Sequence, residues 1–233
     1  MSDYLDKLKE SVFQANIDLV KHGLVILTFG NASAVWREEG LLIIKPSGVS
    51  YDDMSASDMV VVDLKGKIIE GKLNPSTDTP THIELYKKFP SIGGIVHTHS
   101  SWATVWAQAG KSIPVQGTTH ADYFYGNIPC TRMMLSGEIN SDYEKNTGIL
   151  IAECLGNQDP LEMPAVLVNN HGPFTFGKDV GAAVKNAVVL EEVAKTAYHT
   201  HQLGQTGSIS QEMLDKHFKR KHGAGRYYGQ GEK

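Results

Sequence analysis

Leu5, Leu8, Val12, Ala15 and Leu19 recur every three or four residues between Ser2 and Gly23, with Val20 beside the last. That period predicts an amphipathic helix over 3–22, with Ser2 as its cap and Gly23 as its stop. The pattern then changes to short apolar runs. Residues 24–28 read as a buried strand broken at Gly30-Asn31, and 32–37 and 41–45 as a hairpin around Glu38-Glu39-Gly40. Lys45-Pro46-Ser47-Gly48 closes that unit with turn chemistry. A short helix at 55–58, a strand over 59–64, a Lys65-Gly66 turn and a strand over 67–70 follow. Beyond the polar loop 74–78, Pro80 suits the first turn of a helix running to about Lys88.

Gly-Gly followed by an apolar pair predicts a short buried strand over 93–99. Ser100 is placed to cap a helix whose Trp102, Val105 and Trp106 face inward until Gly110. Apolar pieces at 113–115 and 128–130 bracket the polar stretch 118–123, and 137–155 carries a mixed helix and strand signal. Residues 165–169 read as a strand with His171-Gly172-Pro173 just past its end. Asp179 caps a long helix through Val184, Ala187, Leu190 and Ala194 to about Leu203, and a final helix over 210–221 leads to the tail Tyr227-Tyr228-Gly229-Gln230. Hairpins mixed with crossing helices, without regular βαβ alternation, predict an α/β three-layer α/β/α sandwich with a largely antiparallel, mixed central sheet. With no linker, low-complexity tract or repeat, one domain over 1–233 is expected.

Charge narrows the partners. A net charge of −4 and a pI near 6.2 give no overall attraction to nucleic acid or anionic membrane. The basic run Lys216-His217-Phe218-Lys219-Arg220-Lys221-His222 is local, and reads equally as a solvated helix face or an anion site. No apolar run approaches the roughly 20 residues a membrane span needs and no charged-then-apolar leader opens the chain, so a cytoplasmic protein is expected. Cys130 and Cys154 are too few for a disulfide framework or a thiolate metal site and read as reduced.

Chemistry concentrates around Gly93-Gly94-Ile95-Val96-His97-Thr98-His99-Ser100. On a strand, His97 and His99 project from one face about 7 Å apart along the backbone, a half-site for a divalent metal. His171 and Asp78 are available as further ligands, although Asp78 reads equally as the N-cap of the following helix. Three neutral imidazoles and a carboxylate would leave positions open for substrate oxygens. The turns Gly30-Asn31, Ser47-Gly48 and Ser76-Thr77 present N–H groups and small polar side chains suited to a phosphate, with Lys45 adding positive charge. Each is also ordinary turn chemistry. Asp122, flanked by His120 and Tyr123, sits in a polar aromatic segment of a kind often functional, with a surface hydrogen-bond network as the alternative. Tyr227 and Tyr228 suit tethering of the tail to the body or to a neighbouring subunit.

In order along the chain, Gly30-Asn31-Ala32-Ser33-Ala34, Ile44-Lys45-Pro46-Ser47-Gly48-Val49, Pro75-Ser76-Thr77-Asp78-Thr79-Pro80-Thr81-His82 and Ile92 to Ser100 form a set of specific motifs. Gly117-Thr118-Thr119-His120-Ala121-Asp122-Tyr123-Phe124-Tyr125-Gly126, His171-Gly172-Pro173-Phe174, Leu190-Glu191-Glu192-Val193-Ala194 and Tyr227-Tyr228-Gly229-Gln230 extend it. Together they resemble the class II aldolase/epimerase family over almost the whole chain. The resemblance implies Zn²⁺ held by His97, His99 and His171 with Asp78 associated, although such a site also suits Mn²⁺, Co²⁺ or Fe²⁺. It places Gly30, Asn31, Lys45, Ser47, Gly48, Ser76, Thr77, Thr118 and His217 around a sugar-phosphate substrate. It assigns proton transfer to Asp122 and Tyr228, with Tyr228 and the tail 223–233 reaching a neighbour in a homo-oligomer, a C4 tetramer.

The related aldolases carry Glu where this chain has Asp78 and use it as their base. A carboxylate shorter by one methylene retracts by roughly 1.5 Å, which matters when a 1 Å displacement governs rate. The resemblance therefore implies interconversion of L-ribulose 5-phosphate and D-xylulose 5-phosphate, with a sugar-phosphate aldolase as the alternative. A non-catalytic interaction domain on the same fold predicts absent ligands, and all the expected ones are present. Departures from the family pattern are minor: Asn169-Asn170 before His171, and three residues after Gln230.

Overall fold

A computed structural model of the protein describes residues 2–222 and 226–228. The strands are β1 (Asn31–Trp36), β2 (Leu41–Ile44), β3 (Val60–Asp63), β4 (Ile68–Glu70), β5 (Gly94–His97), β6 (Ala165–Val168) and β7 (Gly172–Gly177). They form a seven-stranded sheet in the order β4-β3-β2-β1-β5-β7-β6, with every neighbouring pair antiparallel. The helices are α1 (Ser2–Lys21), α2 (Thr79–Lys88), α3 (Ser101–Gln108), α4 (Thr118–Ala121), α5 (Ser136–Ile139), α6 (Tyr143–Leu155), α7 (Val180–Gln202) and α8 (Gln211–Lys221), with a 3-10 turn at Ala56–Asp58.

Side chains alternate across a strand, and here both faces are apolar because both are covered. Leu42, Val60, Val62 and Ile95 join one cluster with residues of α2, α3 and α6. Their sequence neighbours Ile43, Val61 and Val96 join another, with Val12, Ala15 and Leu19 of α1. Helix α7 serves both, giving Val180, Ala183, Val184 and Ala187 to the second cluster and Leu190, Val193, Ala194 and Ala197 to the first. The result is the three-layer α/β/α arrangement the sequence predicts.

Glycine lets α7 come close. A Cβ on Gly94 in β5 would stand 2.4 Å from the backbone N and Cα of Val180, so only glycine admits the helix start against the central strand. Across the molecule, Ile209 N–H donates to Val115 O and Leu214 packs with Val115 and Ala121, docking α8 onto α4.

Four local expectations need correction. Residues 24–28 are irregular chain ending in a turn at 27–28 and not a buried strand: Leu24 is buried, but Ile26 and Leu27 are exposed, and Leu27 has φ 53°. Strand β5 ends at His97, so His99 lies beyond the ladder. Gly172-Pro173 does not simply follow a strand but opens β7, which pairs with β5. In α3 the buried residues are Ala103, Trp106 and Ala107, while Val105 is exposed and Trp102 half-buried. Cys130 and Cys154 are free and half-buried. No helix among the described residues is long and apolar enough to cross a membrane. Of the tail 223–233, all but 226–228 lies outside the described residues.

Candidate metal centre and substrate cavity

His97 is the last residue of β5, where antiparallel register sets it opposite Asn31 on β1 and Phe174 on β7. Its ring stacks on Phe174, centroids 4.2 Å apart and planes within 15°. Its Nδ1 lies 3.0 Å from the Pro173 carbonyl. A carbonyl can only accept, so Nδ1 carries the proton and Nε2 keeps its lone pair. This is the carbonyl-oriented arrangement typical of a metal-binding imidazole.

His171 arrives through a tight turn between β6 and β7. Its N–H donates to Val168 O, and Asn170 takes φ 60°, a left-handed conformation that Asn tolerates better than most residues. His99 follows β5 by two residues, just ahead of α3. There the carboxylate of Glu191, on α7, accepts from the N–H groups of Trp102 and Ala103 at 2.8 and 3.0 Å. The expected cap, Ser100, makes no side-chain capping bond, so a distant residue supplies that anchor.

The three rings converge. One nitrogen from each of His97, His99 and His171 lies within 4.8 Å of the others, and the Nε2 atoms of His97 and His99 are 3.1 Å apart. Two nitrogen ligands of a tetrahedral zinc, each at about 2.05 Å, stand roughly 3.3 Å apart. Burial, followed by the neighbouring imidazoles, pushes His171 down to about 3, and burial likewise lowers His99. Neutral imidazoles are the ligating form. His171 Nδ1 is buried with no hydrogen-bond partner. These residues can hold a divalent metal, although β5 itself supplies only one of them.

Asp78 stands outside that close set of nitrogens but lines the same cavity. Its Oδ2 accepts from Asn31 Nδ2 at 2.7 Å, and Asn31 also donates to Ser76 Oγ at 3.1 Å. Burial would push the Asp78 carboxyl up, but His97, His82 and the Asn31 bond hold it below the usual range. Asp78 occupies the N-cap position of α2 without making a side-chain capping bond.

The cavity has a volume of about 390 Å³, and its walls include all three histidines and Gly30, Asn31, Lys45, Ser47, Gly48, Ser76, Thr77 and Asp78. Backbone bonds from Ser47 N to Asn74 O and from Ser76 N to Lys45 O tie two of its loops together. Gly30 takes φ +81°, and a Cβ there would meet Val25 Cγ1 at 2.7 Å and His97 O at 3.0 Å. Lys45 is 1% exposed, and its ammonium donates to the carbonyls of Thr28, Pro46 and Val49. Burial pushes it down to about 8, leaving it mostly charged at neutral pH. A buried cation beneath turns rich in N–H groups suits an anion such as a phosphate.

Four residues singled out in the sequence are not in these walls. Thr118 lines a separate cavity with Gly117 and Thr119, while Asp122, His217 and Tyr228 gather where α4 meets α8. Conversely, Thr28, Phe29, Tyr143 and Glu144 line the triad cavity without having been marked by a motif. Tyr143 and Glu144 open α6 inside a segment of mixed periodicity, which left nothing to find them by.

Residues 10–198 match the family described as Class II Aldolase and Adducin N-terminal domain. The chain belongs to that family. Its fold is that of an L-fuculose 1-phosphate aldolase, with a TM-score of 0.77, 24% identity and coverage of 91% of this chain and 94% of that one. L-fuculose 1-phosphate aldolase from Glaciozyma antarctica PI12 gives a TM-score of 0.76 at 22% identity over 92% of this chain and 81% of that one. The L-fuculose-1-phosphate aldolase from Thermus thermophilus gives 0.67 at 24% over 87% and 98%. Identities this low speak for a shared class II aldolase fold.

Proposed function

We propose that this protein is an epimerase of the class II aldolase family, interconverting L-ribulose 5-phosphate and D-xylulose 5-phosphate by breaking and re-forming the C3–C4 bond. The histidine triad of His97, His99 and His171, convergent at the head of an anion-suited cavity, is the observation that carries this reading. Zinc is the expected metal, given imidazole ligands and open positions for oxygen. When bound, it supplies a Lewis acid for the negative charge left on a keto-hydroxy fragment by carbon–carbon cleavage.

The chain's own residues do the rest. Ser47, Gly48, Ser76 and Thr77 hold the phosphate above Lys45, so the aldehyde fragment stays tethered after cleavage. Epimerisation requires that retention, because the carbonyl must turn and be attacked on its other face. Asn31 fixes the Asp78 carboxylate, which favours an orienting role over that of a free base. Two proton carriers are then needed, one for the alkoxide on each face. We assign them to Asp122 and Tyr228, with Thr118 and His217 nearby. Because none of these lines the triad cavity of its own chain, they serve a neighbouring subunit in a homo-oligomer, for which a C4 tetramer is the proposed form.

Incubation of the purified protein with L-ribulose 5-phosphate tests this reading. D-xylulose 5-phosphate should form, cease with a chelator and return with Zn²⁺. Condensation of dihydroxyacetone phosphate with an aldehyde, without any inversion, would overturn it in favour of an aldolase.

A further inference from the structure

Asp122 is held by a cluster of basic side chains. Arg220 grips both carboxylate oxygens, Nε to Oδ1 at 3.0 Å and Nη2 to Oδ2 at 2.7 Å. His217 Nδ1 donates to Oδ1 at 3.0 Å, Lys221 Nζ lies 3.2 Å from Oδ2, and His222 Nε2 donates to the backbone carbonyl at 2.9 Å. Residues 217, 220 and 221 are three and four apart on α8, hence on one face. The same Arg220 also holds the tail. Its carbonyl accepts from the N–H groups of Tyr227 and Tyr228, both at 3.0 Å, and its guanidinium lies 5.1 Å from the centre of the Tyr228 ring. Lys221 faces that ring at 4.4 Å.

We infer that Arg220 is a positioning residue that fastens Asp122 and Tyr228 into one unit, so that both are presented together. The inference rests on the proton-transfer roles proposed above. Bidentate pairing fixes the plane of the carboxylate as well as its distance, which a lysine cannot do. Anchoring α8 does not require this grip. Leu214 packs with Val115 and Ala121, Phe218 lies against Tyr125 at 4.9 Å, and Tyr125 OH donates to Asp215 at 2.6 Å. Losing the guanidinium should therefore release the plane of the Asp122 carboxylate, leaving only the His217 and Lys221 contacts to it, without undocking the helix.

The clamp also sets how readily Asp122 takes a proton. Burial would push its carboxyl up, but hydrogen bonds from Arg220, His217 and Lys221 hold it below the usual range. The other groups packed around it bear charge only at a distance. Lys185 of α7 stands over the adjacent Tyr123 ring at 5.4 Å, and His120 donates to Gly126 O. Arg220 is thus the principal lever on this carboxylate.

Arg220→Ala and Arg220→Lys in the full-length protein test the inference. In Arg220→Ala, kcat for L-ribulose 5-phosphate should fall on the order of 10- to 100-fold with KM within about two-fold. Zinc content should be unchanged, and the acidic limb of the kcat profile should move to higher pH. Arg220→Lys should restore part of kcat. Independently of turnover, the Asp122 carboxyl carbon, assigned by comparison with Asp122→Asn, should titrate at higher pH in Arg220→Ala by NMR. An unmoved Asp122 titration, or full kcat in Arg220→Ala, overturns the clamp. Absence of epimerisation in the parent would instead remove the proposed reaction, and the carboxyl titration would still decide whether Arg220 governs Asp122.

Discussion

His97 has one nitrogen already committed to Pro173 and one left over, and that asymmetry makes it the pivotal ring of the triad. Replacing it with Asn removes both the ligating nitrogen and the face stacked on Phe174. We expect His97→Asn to lose stoichiometric zinc and all turnover, and elemental analysis after gel filtration checks it; a variant retaining one equivalent would contradict the assignment. Tyr228→Phe makes the opposite demand. The side chain is 61% exposed and its ring contacts are with Arg220 and Lys221, so removing the hydroxyl should leave fold and zinc intact. Epimerisation should fall by about 10²-fold or more if the phenol carries a proton, read as kcat beside an unchanged circular dichroism spectrum. Residues of this kind were legible in the sequence because they sit in dense local motifs such as His97-Thr98-His99 and His171-Gly172-Pro173. Tyr143 and Glu144 were not, since they reach the cavity through the packing of α6 and not through any local pattern.

Elements were legible where one period dominated. The long apolar stripe of α7 and the β1–β2 hairpin follow from spacing and turn residues alone. The strand expected at 24–28 failed because an apolar run does not say what covers it, and here Ile26, Leu27 and Phe29 stay exposed beside the cavity. Strand β7 was obscured by Gly172-Pro173, which reads as a turn yet sits between β5 and β6, tolerated at the very start of the strand. Long-range anchors are invisible to any local reading. Glu191 caps α3 across 88 and 89 positions of sequence, and Glu191→Ala should cost about 1–2 kcal/mol in urea unfolding by leaving two N–H groups at that helix start without their acceptor. The β5–α7 contact is stricter still. Gly94→Ala puts a methyl within 2.4 Å of the Val180 backbone, so the helix must shift, and a loss on the order of 3 kcal/mol or more is expected in the same assay.

At the scale of the whole molecule, the buried ionisable groups bias stability toward mildly alkaline pH. Burial pushes His120 down to about 4 and His82 to about 3, from an ordinary 6.5. The unfolded chain therefore binds more protons than the folded one below about pH 6.5, and stability contributed by the neutral rings is lost as pH falls toward those values. Asp122 and Asp78, held below the usual carboxylate range, add a loss of the same sign at still lower pH. Lys45, lowered from 10.5 to about 8, also binds fewer protons folded than unfolded, so stability rises with pH between those values. Tyr51 and Tyr86, pushed up by burial, reverse the trend only once unfolded phenols ionise above about pH 10. His120 isolates one part of this slope. Its Nε2–H donates to Gly126 O at 2.8 Å while Nδ1 is buried without a partner, so a proton there has nowhere to be solvated. Gln can keep the donor and cannot titrate. Between pH 7.5 and 4.5 the parent should lose on the order of 2 kcal/mol more unfolding free energy than His120→Gln, measured by urea denaturation at both pH values. Equal losses in the two proteins would show that His120 is not a site of the coupled proton uptake.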